Sequence, residues 1–407
     1  MVRRNTGFAN LTAGYLFPEV ALRSREYAAS HPDAEIISLS IGNTTEPLTP
    51  HISKAMSDYA LSLATPEGYS GYGDEQGLPA LRKKIAETFY AGMADSDEVF
   101  ISDGAKCDIA RVQTLFGRKV HVAVQDPAYP VYVDGSVLTG AAGSNRNGRY
   151  KNITYLSCTP ENSFLPDFSQ VKKDSLIYFC SPNNPTGYAS TREELLQLVN
   201  FAKSHGCIIV FDAAYAQFIR TPGLPRTIFE IEGARDCAVE INSFSKPAGF
   251  TGVRLGWSVV PKTLLFSDGT PVIKDWLRVM TTLFNGASNI AQHGGLAALD
   301  PEGIVEMKNI IDYYLENVKM IHETLESDNF RQAGVQIYST GNSPYLWVRF
   351  PGYKSWDIFD IILDKCRVVT TPGSGFGAAG ESFIRFSSFG HHQSVQEACR
   401  RLSLLKL

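Results

Sequence analysis

Between residues 98 and 260 the chain alternates apolar runs of strand length with helical stretches, and no other feature limits its fold so strongly. Consecutive strands separated by a helix are laid down parallel, so the expected structure is an α/β unit: a mostly parallel sheet wrapped by helices. The clearest helix follows Ser190-Thr191. Thr191 and Glu194 have capping-box spacing, Leu195, Leu198, Val199 and Ala202 form an apolar stripe, and Gly206 is a natural terminator. That helix leads directly into the run Ile208-Ile209-Val210-Phe211-Asp212.

Ligands of a parallel α/β sheet bind beyond the carboxyl ends of its strands, so the residues after each run carry the functional information. Val99-Phe100-Ile101 is followed by Ser102-Asp103-Gly104-Ala105-Lys106, small residues at a helix start that leave backbone N–H groups for a phosphate. After the run 120–124 comes Asp126-Pro127-Ala128-Tyr129-Pro130, where two prolines can hold the Tyr129 ring against a planar cofactor. The run 176–180 ends in Ser181-Pro182-Asn183-Asn184-Pro185-Thr186-Gly187, a polar turn in which Asn184 can donate to a phenolate oxygen.

Asp212 closes the next run with Tyr215 three residues on; a carboxylate can keep a pyridinium protonated and a tyrosine can hydrogen-bond a ring oxygen. The run 238–241 leads to Ser243, Ser245 and Lys246, with Arg254 eight residues later. A lysine beside hydroxyls and a guanidinium is suited to hold a phosphorylated aldehyde, pyridoxal 5'-phosphate, as a Schiff base. Taken singly, each residue has an ordinary explanation as a cap, a core ring or a surface charge; their convergence on one sheet edge does not.

Beyond residue 290 the helical stretches 291–299 and 304–326, the strand-like 343–350, a helix near 356–366 and the strand-like 382–387 indicate a smaller α+β unit. The expected organisation is an arm and part of the small domain at 1–47, a large domain at 48–294, and a small domain at 295–407. The first 45 residues, with Tyr15-Leu16-Phe17-Pro18, have little periodicity and read as an arm that packs on another part of the same chain or on another subunit. Gly375-Phe376-Gly377-Ala378-Ala379-Gly380 matches a dinucleotide fingerprint but precedes a strand-like run, so it is expected to border a substrate rather than bind nicotinamide or flavin. The following Arg385 is a candidate clamp for an α-carboxylate.

With a net charge of −4, the chain has no broad basic field, so neither nucleic acid nor a membrane is an expected partner. Seven scattered cysteines without a Cys-x-x-Cys pair read as reduced packing residues, and the eight histidines lack metal spacing. The polar start after Met1-Val2-Arg3-Arg4 is unlike a signal peptide, and the expected location is the cytoplasm.

The segments SPNNPTG, FDAAY, SFSK with the following arginine, and IRFS resemble those of the fold-type I pyridoxal phosphate aminotransferases, class I/II, over nearly the whole length. Within that family, AGYLFPEV, YSGYGDEQG, SDGAKCDI, GFTGVRLGW, LFNGASN and VVTTPGSGFG are similar to the branch acting on LL-diaminopimelate. The resemblance implies the fold-type I architecture and a homodimer with shared active sites. It makes Lys246, Asp212 and Tyr215 catalytic, and surrounds the cofactor with Tyr72 of the partner subunit, Ala105, Lys106, Tyr129, Asn184, Ser243, Ser245 and Arg254. Substrate would meet Tyr15, Gly42, Lys106, Tyr129, Asn184 and Arg385, with Glu75 and Asn285 from the partner subunit; Asn289 is the alternative to Asn285. The implied reaction is reversible amino transfer between LL-2,6-diaminopimelate with 2-oxoglutarate and tetrahydrodipicolinate with glutamate, in lysine biosynthesis. Amino transfer from another amino acid such as aspartate, alanine or an aromatic one, lyase chemistry on the same scaffold, and noncatalytic cofactor binding are the alternatives.

Overall fold

The computed structural model describes residues 1–11 and 16–407. Its main sheet has seven strands: β1 (Val99–Ser102), β2 (His121–Asp126), β3 (Ile153–Ser157), β4 (Ser175–Cys180), β5 (Ile208–Asp212), β6 (Ala238–Ser243) and β7 (Gly256–Val259). They lie in the order β1-β7-β6-β5-β4-β2-β3. All neighbours are parallel except β7, which runs antiparallel to both β1 and β6. An isolated reading of Gly256–Val259 gives no sign of that reversal.

Most strand positions are apolar because both faces are covered, and a buried polar exception such as Glu240 on β6 is hydrogen-bonded, accepting from Tyr90 Oη, Thr227 Oγ1 and Ile228 N–H. Along β4, Ile177 and Phe179 join one apolar cluster while Leu176, Tyr178 and Cys180 join the cluster on the other face, and β5 divides Ile209 and Phe211 from Val210 in the same way. Helix α3 (Arg192–His205) seals one face through Leu195, Leu198, Val199 and Ala202, all at 0% exposure. The capping box forms as expected, with Glu194 N–H donating to Thr191 Oγ1 at 3.2 Å and Thr191 N–H to Glu194 Oε2 at 2.9 Å. Gly206 ends the helix in the left-handed region at φ +64°.

A second, antiparallel sheet contains β8 (Gln336–Tyr338), β9 (Tyr345–Arg349), β10 (Thr371–Pro372) and β11 (Phe383–Ser387), ordered β8-β9-β11-β10. The stretch expected as an arm before residue 45 contains a helix that its weak periodicity did not indicate. Helix α1 (Leu16–Ser30) fills much of it and buries Leu16 and Val20 in the apolar cluster of this smaller sheet, and Ile37 and Ser38 pair with Val368 and Val369. Pro18 is tolerated because it falls in the first turn, where its missing N–H leaves no intrahelical bond unmade.

The glycine-rich 375–380 segment forms two short turns before β11 and docks on the end of β2. Ala379 N–H donates to Asp126 Oδ1 at 3.1 Å and Ala128 N–H to the Phe376 carbonyl at 2.9 Å. A Cβ at Gly377, whose φ is +139°, would stand 2.1 Å from Asp126 Oδ1, so only glycine fits. Among the described residues, no helix is long and apolar enough to cross a membrane, and all seven cysteines are free thiols.

The packing of α3 yields a stability test. Leu198→Ala removes a fully buried side chain from the stripe and is expected to lower unfolding stability by about 2–5 kcal/mol, measured by chemical denaturation; a loss within 0.5 kcal/mol, roughly the scale of surface changes, would contradict this packing.

Candidate active site

At the carboxyl ends of β2, β4, β5 and β6 lies a cavity of about 270 Å³. It brings together Gly42, Ala105, Lys106, Tyr129, Asn184, Asp212, Tyr215, Ser243, Ser245, Lys246, Arg254 and Arg385. Each was singled out in the sequence. The register explains part of the convergence: Cys180 pairs with Asp212 and Asp212 with Ile241, so β4, β5 and β6 present their ends at similar height.

One wall is built for an anion. Helix α2 (Ala105–Val112) begins at Gly104 without a side-chain cap, leaving its first turn available to a ligand. Ser243 Oγ donates to Ser245 Oγ at 2.8 Å, and Arg254 Nη1 lies 3.5 Å from the latter while donating to the Thr251 carbonyl at 3.0 Å. Close approach is enforced by glycine: a Cβ at Gly104, where φ is +119°, would stand 2.4 Å from Arg254 Nη2. Hydroxyls, a helix N-terminus and a guanidinium match the donor set a phosphate group requires.

Lys246 faces this wall and donates to the Gly42 carbonyl. Its side chain is half-buried by surface because it faces the cavity, yet the surrounding protein still deprives the ammonium of hydration. That desolvation, followed by repulsion from Arg385 and Arg254, lowers its pKa to about 7. The amine is therefore a nucleophile at ordinary pH.

Asp212 is 5% exposed and accepts hydrogen bonds from Tyr132 Oη at 2.7 Å and Ala214 N–H at 3.0 Å. Burial pushes its carboxyl above the usual range despite these donors, which a cation placed beside it would reverse. A protonated ring nitrogen is such a cation.

Arg385 is 1% exposed. Nη1 donates to Asn184 Oδ1 at 2.6 Å and Nη2 to the Ser40 carbonyl at 2.5 Å, while Nε has no partner among the described residues. Its guanidinium carbon lies 4.3 Å from the Tyr345 ring centroid and 4.9 Å from that of Phe376. Burial lowers its pKa, so the charge is held at a cost that a carboxylate would relieve. Together the glycine-shaped cradle, the desolvated amine, the buried carboxylate and the orphaned guanidinium donor fit a phosphorylated aldehyde and a carboxylate-bearing amine.

The other expected site residues are not gathered. Tyr72 is 92% exposed, Glu75 is half-buried, and Asn285 is exposed at φ +68°; none lines this cavity. Asn289 instead begins a helix and donates to Ser70 Oγ at 3.1 Å. Tyr15 lies outside the described residues. Conversely, Tyr132 and Tyr345 line the cavity without having been singled out. Tyr132 could have been noticed from its i+3 spacing to Tyr129, which also lines the cavity; Tyr345 gave no local signal.

The sequence model described as "Aminotransferase class I and II" matches residues 34–402. The chain is 55% identical to the chloroplastic LL-diaminopimelate aminotransferase of Arabidopsis thaliana, covering 99% of this chain and 87% of that protein. It is 51% identical to the LL-diaminopimelate aminotransferase of Protochlamydia amoebophila, covering 100% and 99% respectively. The solved structure of L,L-diaminopimelate aminotransferase from Chlamydomonas reinhardtii is similar with a TM-score of 0.93 and 55% identity, covering 98% of each chain.

The lowered pKa of Lys246 has a measurable sign. A depressed value means the neutral, reactive amine predominates above about pH 7. In cofactor-free protein, competitive acylation followed by peptide mass analysis should therefore give Lys246 a reactivity midpoint near 7, while surface lysines rise only at ~10.4. A midpoint for Lys246 in the surface range would refute this electrostatic account.

Proposed function

The chain belongs to the class I and II aminotransferases, which depend on pyridoxal 5'-phosphate, and from that membership we propose that it is an LL-diaminopimelate aminotransferase. It exchanges an amino group between LL-2,6-diaminopimelate with 2-oxoglutarate and tetrahydrodipicolinate with glutamate; in lysine biosynthesis, glutamate is the donor. The observation carrying this reading is the convergence of Lys246, Asp212 and the buried Arg385 in one cavity of a chain so similar to enzymes of that name.

When bound, pyridoxal phosphate supplies an electron sink for charge left on the substrate α-carbon. Ser243, Ser245, Arg254 and the start of α2 at Ala105 and Lys106 would hold its phosphate. Tyr129 would cover a face of its ring, and the buried Asp212 carboxyl would keep the ring nitrogen protonated. Asn184 spends its carbonyl on Arg385, which leaves its amide N–H, with the Tyr215 hydroxyl, for the ring oxygen. Arg385 grips the substrate α-carboxylate. Lys246 would anchor the group through its amine, and that desolvated amine, with a pKa of about 7, can take and return a proton at the substrate α-carbon.

The far end of the substrate is itself charged and needs polar partners. Lys106, Tyr15 and Gly42 are proposed for it, with Glu75 and Asn285 of the partner subunit. The active unit is accordingly a two-fold homodimer in which Tyr72 of the partner subunit reaches the phosphate. An aromatic side chain 92% exposed in its own chain supports this exchange. Seven unpaired thiols suit a reducing compartment, the cytoplasm.

A donor panel tests the substrate. LL-diaminopimelate with 2-oxoglutarate should be used in preference to aspartate, alanine and aromatic donors; efficient turnover of one of those without diaminopimelate activity would replace the substrate assignment while retaining the cofactor chemistry. For the dimer, a heterodimer of a Lys246→Ala chain and a Tyr72→Ala/Asn285→Ala chain assembles one complete site. Purified with different tags, it should recover activity of about one site in two while both mutant homodimers stay impaired. No recovery in a cofactor-loaded heterodimer would mean that these residues act within their own chain.

A further inference from the structure

Tyr345 occupies a position with no assigned role. It opens β9, is 1% exposed and lines the cavity. Across β11 it pairs with Ser387, and Trp347 pairs with Arg385, which places Tyr345 diagonal to the guanidinium stacked on its ring. Its hydroxyl lies 2.8 Å from that of Tyr215, with the two rings edge to face at 5.2 Å. Gly42, whose carbonyl accepts from Lys246, passes so near that a Cβ there would stand 2.4 Å from the Tyr345 oxygen.

A phenol carries one proton, so when two phenols share a hydrogen bond one donates and the other keeps its proton for a third group. Tyr215 is the member to which the ring oxygen of the cofactor is assigned. We propose that Tyr345 is a positioning residue that donates to the Tyr215 oxygen, turns the Tyr215 proton toward the cofactor ring oxygen, and holds the Arg385 guanidinium flat against its own ring. This rests on the cavity being the pyridoxal phosphate site. Burial pushes both phenols upward, so both keep their protons over the working range. The ionisable groups around Tyr345 are Tyr215 and Asp212 from the end of β5, Cys180 from the end of β4, Arg385 on β11, and Lys246 beyond Gly42. A phenol that itself receives a hydrogen bond is polarised into a stronger donor.

Tyr345→Phe keeps the ring, its volume and its stack on Arg385 while deleting only the hydroxyl. In purified holoenzyme without substrate, visible absorbance reports the proton on the cofactor–Lys246 linkage. A donor to the ring oxygen favours the form with one proton fewer, so weakening that donor raises the titration midpoint. The expected shift is upward by about half a unit to one unit. The expected kcat is about three- to tenfold lower, with KM nearly unchanged because the carboxylate grip of Arg385 is retained. Tyr215→Phe should shift the midpoint further in the same direction, and adding Tyr345→Phe to it should add little, because the deleted hydroxyl acts through Tyr215.

A wild-type midpoint in Tyr345→Phe, or additive shifts in the double variant, would overturn the inference. Borohydride reduction and peptide mass analysis separate the two levels. Cofactor on Lys246 with an unshifted midpoint removes only the role of Tyr345, whereas cofactor on another lysine removes the site assignment beneath it. If Tyr345→Phe fails to fold, 3-fluorotyrosine incorporated at position 345 provides the opposite test: as a more acidic donor it should lower the midpoint, and an unchanged midpoint would again defeat the proposal.

Discussion

The sheet that supports the site must be covered on both faces, and the placement of polar groups follows from that requirement. Strands whose alternate residues enter two opposite apolar clusters have little room for polar side chains along their length. Polar groups therefore concentrate where the strands stop. Asp212 is the last residue of its strand and Ser243 of another, while Asn184, Tyr129 and Lys246 lie in the turns immediately beyond. A carboxyl inside the sheet, Glu240, is tied up by Tyr90, Thr227 and Ile228, so the groups left open to a ligand are those at the edge.

At that edge the chain gathers basic groups whose hydrogen bonds go to neutral acceptors. Arg254, Lys246 and Arg385 border one cavity; burial lowers the pKa of the last two, and repulsion from both arginines lowers that of Lys246 further. Their nearest protein contacts are carbonyl, amide and hydroxyl oxygens rather than carboxylates: Gly42 O for Lys246, Asn184 Oδ1 and Ser40 O for Arg385, Ser245 Oγ and Thr251 O for Arg254. Neutral acceptors orient a cation without cancelling its field, so anionic groups of a cofactor and substrate find both the geometry and the potential prepared.

What could be read from the sequence was whatever a single segment expresses. The Thr191–Glu194 cap, the apolar stripe of α3 and the strand-end positions of Asp212 and Lys246 are local patterns, and the fold places them as anticipated. The helix α1 was missed because Pro18 resembles a breaker unless its position in the first turn is known. The reversed direction of β7 is decided by its neighbours rather than its own residues. Tyr345 owes its place to strand register and to contact with a phenol 130 residues away, neither of which has a periodic trace.

Arg385 stands on the smaller sheet, whereas Asn184, which accepts its hydrogen bond, and Lys246 follow strands of the larger one. The carboxylate clamp and the cofactor cradle are consequently encoded in separate stretches of the gene. Asn184 belongs to both, so a change in how the smaller sheet seats on the larger one shifts clamp and cradle against each other.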